Sequence, residues 1–282
     1  MAHNRKHRGT KSIIRAEKER ERRIVTVVMA LALIVIMVAS SFGVYQSIKS
    51  TSNQNIESKV LKAAIVDQLS LSIPNQTFIE TATKILKQAN YTIDYYPGEK
   101  VTVEFYRNLP THEYKIIILR VHSSAAELQG EEFIETPVSF FTSEPYSQTK
   151  YIYEQLTDQL VIASYTMPQP PYYFAIVPKF VTSTMKGIFQ DTVTIMMGCE
   201  GLNNTKMAEV FIQKGAKAYI GWKGSVSASH TDAATTILLQ HLITHKQTIK
   251  QAVENTNKEA GPDPACNSVL AYYPPTTADQ TI

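Results

Sequence analysis

Cys199 and His122 are the two residues whose types and settings together suggest covalent chemistry. Each closes an apolar stretch of strand character: Asp191 to Gly201 (DTVTIMMGCEG) stops abruptly at Cys199, and Tyr114 to Ser124 (YKIIILRVHSS) stops at His122. A thiol beside an imidazole is a nucleophile with its general base. In open α/β sheets, reactive groups gather where strands end at their carboxyl edge. Two such strands in one sheet would therefore bring the pair together across the 77 residues that separate them. The same residues have a plainer reading, in which His122 is a satisfied edge histidine and Cys199 a small buried apolar residue.

The only other cysteine is Cys266, after the turn sequence GPDPA. In an oxidising compartment two cysteines invite a disulfide, and a Cys199–Cys266 bond would remove the nucleophile. The sequence leaves both forms open. Neither cysteine has a neighbour at metal-ligand spacing, so no metal is expected, and no organic cofactor.

The elements that would position the pair follow in chain order. Lys62–Leu71 has the β-branched look of a first strand, ended by Pro74. In Asn75–Asn90, Phe78, Ile79, Ala82, Ile85, Leu86 and Ala89 recur at helical spacing, with Asn75 as cap. Tyr91–Tyr96 alternates as a second strand, Val101–Leu109 is a short helix or loop, and Lys115–Val121 is a third strand apolar on both faces. The order strand, helix, strand, helix, strand predicts an α/β fold with a mostly parallel sheet.

Beyond His122 the pattern predicts a hairpin over Phe133–Thr142, a helix over Thr149–Ala163 and an extended piece over Tyr172–Met185. It then predicts a strand at Thr192–Met197, a helix at Asn204–Lys214 ended by Gly215, and a strand at Lys217–Trp222. Helices over Ala228–Thr244 and Gln247–Ala260 and a last strand at Val269–Tyr273 complete the body. Asp232 falls near a helix start, where aspartate is favoured as a cap.

Charge is unevenly placed. Residues 1–23 hold nine of the 28 Lys/Arg and three of the 25 Asp/Glu, leaving a body with 19 against 22. Such a body has no electrostatic footprint for nucleic acid, so that class of partner is excluded. Residues 1–23 form a basic cytoplasmic leader, and Ile24–Val44 is an uncharged run of 21 residues. That length can cross a hydrocarbon core of about 30 Å. The basic flank orients its amino end to the cytoplasm, which predicts a single-pass membrane anchor at residues 24–44 with the body extracytoplasmic. Cleavage after Val38–Ser41, as in a signal peptide, is the competing expectation. Residues 45–58 read as a polar tether, 59–274 as the α/β domain and 275–282 as a polar tail. Asn75, Asn90 and Asn203 each start an N-glycosylation pattern, and Asn203 lies so near Cys199 that only the first two are expected to serve.

The blocks IIILRVHS and TVTIMMGC resemble the paired motifs of caspase-like cysteine peptidases, the gingipain, clostripain and CHAT-domain group. In that group one apolar strand precedes a histidine followed by Gly or Ser, and another precedes a small residue and the nucleophilic cysteine. GAKAYIGW and the ending GPDPACNSVLAYYP are similar to stretches of bacterial members, and the likeness covers roughly residues 60–274. The resemblance implies a three-layer αβα sandwich and a membrane-anchored peptidase acting on a peptide or protein substrate. It implies Cys199 as nucleophile, His122 as acid and base, and the backbone N–H groups of Ser123 and Cys199 as oxyanion donors. Trp222, Ser225 and Val226 would shape the first specificity pocket; a core or rim tryptophan is the alternative for Trp222. Ser123 stands where members usually have Gly, and Glu200 follows the cysteine, where a carboxylate aimed at the sulfur would raise its pKa. A catalytically inactive caspase-like module that binds a cell-surface partner is the second expectation. A sortase-like transpeptidase is set aside, because a helix follows Cys199 and no arginine occurs beyond Arg120.

Overall fold

The computed structural model describes residues 60–125, 137–165 and 169–282, plus the helical positions Arg20, Met29, Met37, Ala39 and Ser40. Residues 60–282 form one unit, and the stretch before them counts as another. No helix of the described residues is long and apolar enough to cross a membrane. The expected anchor at residues 24–44 lies almost wholly outside the described residues.

Two wholly buried strands form the middle of the sheet: β3 (Ile116–Arg120) and β8 (Thr192–Met196). Around them lie β1 (Leu61–Asp67), β2 (Tyr91–Pro97), β9 (Ala216–Trp222) and β10 (Leu270–Tyr273), in the order β10-β9-β8-β3-β1-β2. All neighbours run parallel except β10, which is antiparallel to β9. The expected mostly parallel α/β sheet is present, with six strands.

Alternation sends successive side chains to opposite faces. On one face Ala63, Ile65, Ile116, Ile118, Val193 and Ile195 meet α1 (Gln76–Gln88) through Phe78, Ile85 and Leu86. Asn75 starts that helix as expected, its side chain accepting from the Phe78 amide at 3.1 Å. The same face receives α6 (Ala228–Leu239), continued by a π-helical turn at Gln240–Thr244, and α7 (Ile249–Ala260). On the other face Ala64, Val66, Ile117, Leu119 and Met196 pack against α2 (Val103–Asn108), α4 (Pro178–Ser183) and α5 (Lys206–Gln213) through Tyr106, Phe180 and Phe211.

Two expectations between β3 and β8 are corrected. The helix expected over Thr149–Ala163 is only the short α3 (Ile152–Leu156), followed by a strand, β6 (Leu160–Ala163). Tyr151 and Asp158 bracket α3 in left-handed backbone conformations, at φ 52° each, and no helix continues through such a residue. The extended piece over Tyr172–Met185 divides into β7 (Tyr173–Ile176) and α4, which begins on Pro178. With β4 (Ser123–Ala125) and β5 (Val138–Pro145) these strands make a second antiparallel sheet, order β4-β5-β7-β6. Residues 133–136 of the expected hairpin lie outside the described residues. Residues 275–282, expected as a tail, dock instead: the Gln280 and Ala278 carbonyls accept from the Ile249 and Lys250 amides at the start of α7.

Beyond the end of β8, Gly198 packs directly against the segment that follows β3. A Cβ there would overlap the Ser123 hydroxyl, the Val121 carbonyl and the Met196 methyl. Gly198→Ala is therefore expected to lower stability by about 1–3 kcal/mol, as overpacking does. A urea midpoint equal to wild type would remove the steric reading.

Candidate functional site

The parallel register decides whether the thiol and the imidazole can meet. Leu119 stands opposite Met196 on the last shared rung, and His122 and Cys199 each lie three residues further on. The strands stay joined past that rung: the Met197 amide donates to the Leu119 carbonyl at 2.9 Å, and the Ser123 hydroxyl donates to the Cys199 carbonyl at 2.5 Å. Ser123 thus ties the histidine loop to the cysteine loop.

The Cys199 turn is held from its other side by the end of β9. Glu200 adopts a left-handed conformation, φ 61°, and its amide donates to the Gly224 carbonyl at 2.8 Å, while the Leu202 amide reaches the Trp222 carbonyl at 2.7 Å. The sulfur accepts from the Val226 amide at 3.4 Å and lies 3.5 Å from the Val226 carbonyl. Val226, expected in a substrate pocket, touches the candidate nucleophile itself. Ser225 beside it is exposed. Trp222 is 1% exposed, and its indole donates to Thr231 Oγ1 at 2.9 Å; its ring belongs to the core.

Asp263, of the GPDP turn, anchors this loop from below. It accepts from the Ser227 amide and hydroxyl and from the Ala265 and Cys266 amides at 2.7–2.9 Å. Burial works against its charge, yet these bonds hold the carboxyl well below the usual carboxylate range. Both cysteines are free thiols, Cys199 half-buried and Cys266 exposed.

His122 is held by groups the sequence did not announce. Its amide donates to Gln68 Oε1 at 3.0 Å, and Gln68 in turn donates to the Tyr165 hydroxyl. The Tyr165 ring lies 4.5 Å from the imidazole and Phe141 6.0 Å, centre to centre. Burial, with the nearby Arg120 charge, pushes the imidazole down to about 4. Among the described residues neither ring nitrogen has a hydrogen-bond partner.

Two backbone donors of the site have no acceptor among the described residues. The Phe141 amide donates to the His122 carbonyl, which makes that rung the bonded one and turns the next amide, Ser123, away from β5 at the open edge of β4. The Cys199 amide likewise has no acceptor among the described residues.

Beneath the histidine lies a charge cluster. Arg120 is 0% exposed and forks onto Asp232 at 2.7 and 2.9 Å, with further bonds to Asp67 at 2.7 Å and the Ile73 carbonyl at 2.8 Å. Asp232, expected as a helix cap, is a buried partner of Arg120 and also accepts from Asn75 at 2.8 Å. Burial pushes the Asp67 carboxyl up against the opposing pull of Arg120. Burial also works against the guanidinium charge, but the bonds to Asp232 and Asp67 outweigh it and raise Arg120 above its usual value. One signal did exist: a lone arginine in an apolar strand must find buried partners. The Asn75 amide nitrogen already donates to Asp232, whereas Asn90 is exposed and unencumbered in that respect.

No cluster of three or more His, Cys, Asp or Glu among the described residues is arranged to hold a metal. No family model matches this chain, and no curated protein is significantly similar to it.

Proposed function

We propose that residues 60–282 are a caspase-like, three-layer αβα cysteine peptidase domain, tethered to a membrane by residues 24–44 and facing away from the cytoplasm. The observation that carries the reading is the shared register: imidazole and thiol stand three residues past one rung, each loop adding an unspent amide. Neutral His122 takes the thiol proton while the sulfur attacks the peptide carbonyl carbon. The Ser123 and Cys199 amides hold the oxyanion. His122 returns the proton to the departing amine as the C–N bond breaks, and water, deprotonated by His122, hydrolyses the thioester. Ser225 and Val226 border the substrate; Trp222 supports them from the core.

A second reading, a silent module that binds a surface partner, is favoured by one observation. The imidazole makes no hydrogen bond to the thiol, which faces Val226 instead. One experiment separates the two. A thiol-reactive peptidyl probe is applied to the reduced wild-type chain, Cys199→Ala and Cys266→Ala. Labelling that survives Cys266→Ala and vanishes in Cys199→Ala supports the peptidase; none on wild type, or labelling lost only with Cys266, supports the silent module.

A further inference from the structure

The π-helical turn Gln240–Thr244 and its capping residue His245 bring together a histidine pair that the Cys199 site does not use. His241 is buried, His245 exposed, and their Nδ1 atoms face one another at 3.4 Å. The rings meet edge to face, 5.3 Å between centres at 61°. The other ring nitrogen of His241, Nε2, lies 2.9 Å from Glu259 Oε1 on α7. A carboxylate can only accept, so Nε2 carries the proton in the neutral ring. That assignment leaves a lone pair on Nδ1, aimed at His245.

We propose that His241 Nδ1 and His245 Nδ1 form a binding site for a divalent transition-metal ion of the imidazole-seeking class, zinc, nickel or copper. Two nitrogens bound at about 2.0–2.1 Å to one tetrahedral ion lie roughly 3.3–3.4 Å apart, the separation already present. The protonated nitrogen hydrogen-bonded to a carboxylate is the outer-shell arrangement that fixes the tautomer of metal-bound histidines. In the metal-free pair the His245 Nδ1 proton bridges to His241 Nδ1; on metal binding that hydrogen bond is given up and His245 carries its proton on Nε2, so no net proton is released from two neutral rings. The protein supplies two ligands and water the remainder, which makes the site open on its solvent side. Imidazole donors favour zinc, nickel and copper over magnesium or calcium.

The test uses the full chain, with both cysteines blocked by alkylation so that thiols do not compete. Thermal unfolding is followed with NiCl2 or ZnCl2 against MgCl2, in wild type, His245→Ala and Glu259→Gln. His3 and His7 of the leader are present in all three and cancel. Nickel or zinc is expected to raise the wild-type midpoint by about 2–4 °C at roughly five times the dissociation constant. His245→Ala abolishes the rise, and Glu259→Gln weakens affinity by roughly 10–100-fold. Since His245 is exposed, its removal leaves the metal-free protein folded. No rise in wild type, an equal rise in His245→Ala, or an equal response to magnesium would overturn the site.

Discussion

Arg120→Met is expected to lower the stability of residues 60–282 by about 3–5 kcal/mol, the cost of leaving buried carboxylates without their cation. Domains are stable by only about 5–15 kcal/mol in total, so the loss removes between roughly a fifth and the whole of that margin. The magnitude follows from the geometry. All three charged side chains lie within the fold, with exposures of 0% for Arg120 against 1% and 6% for Asp67 and Asp232. Four hydrogen bonds converge on one guanidinium, tying the ends of β1 and β3, the segment leading into α1, and α6 to one another. Removing the whole cluster is expected to cost less than removing its centre. Arg120→Met combined with Asp67→Leu and Asp232→Leu should recover most of the loss, because apolar groups of similar volume need no counter-charge. Chemical denaturation of the single and triple variants checks this. A single variant as stable as wild type would mean that water reaches the carboxylates.

His122→Ala is expected to lower kcat/KM for peptide hydrolysis by roughly 10²–10⁴-fold, the usual worth of a positioned acid and base. The wild-type pH profile gives a sharper test. In the proposed mechanism catalysis needs the neutral imidazole, and burial together with Arg120 holds that group at about 4. Activity is therefore expected to persist from pH 7 to 5.5 and to fall only near pH 4. An ordinary imidazole, titrating near 6.5, would have lost about tenfold by pH 5.5. The same shift acts on stability. Between about 4 and 6.5 the unfolded chain binds the proton that the folded His122 refuses. This contribution is therefore fully present above about pH 6.5 and is lost as pH falls towards 4. An acid limb centred near 6.5 would show that the imidazole is solvated and ordinary.

Much of this architecture was legible because it is local. The six strands of the main sheet announce themselves as β-branched or aromatic runs, and α1 by its Asn75 cap and apolar spacing. The second sheet was legible only in part: Phe133–Thr142 reads as extended and covers the start of β5, but β4 and β6 are three and four residues long and carry too little pattern to announce a strand. Leu160–Ala163 reads as the end of a helix until Asp158 is known to be left-handed. The site divides in the same way. Strand ends mark His122 and Cys199, but the rung that aligns them is a tertiary fact, as are the Gln68 and Tyr165 brackets. Asp232 shows the limit most plainly: cap and ion-pair partner are the same residue type in the same helical sequence.

The pairing of β3 with β8 also sets an order of events during synthesis. At about 5–20 residues per second, Cys199 follows His122 out of the ribosome by roughly 4–15 s, given the 77 residues between them. Through that interval β2, β1 and β3 have no partner for the inner edge of β3. A nascent chain stalled before β8 exposes a hydrogen-bonding edge, open to holdases or to aggregation. No amino-terminal fragment short of Cys199 contains its thiol, so a truncated product carries only half of the proposed dyad.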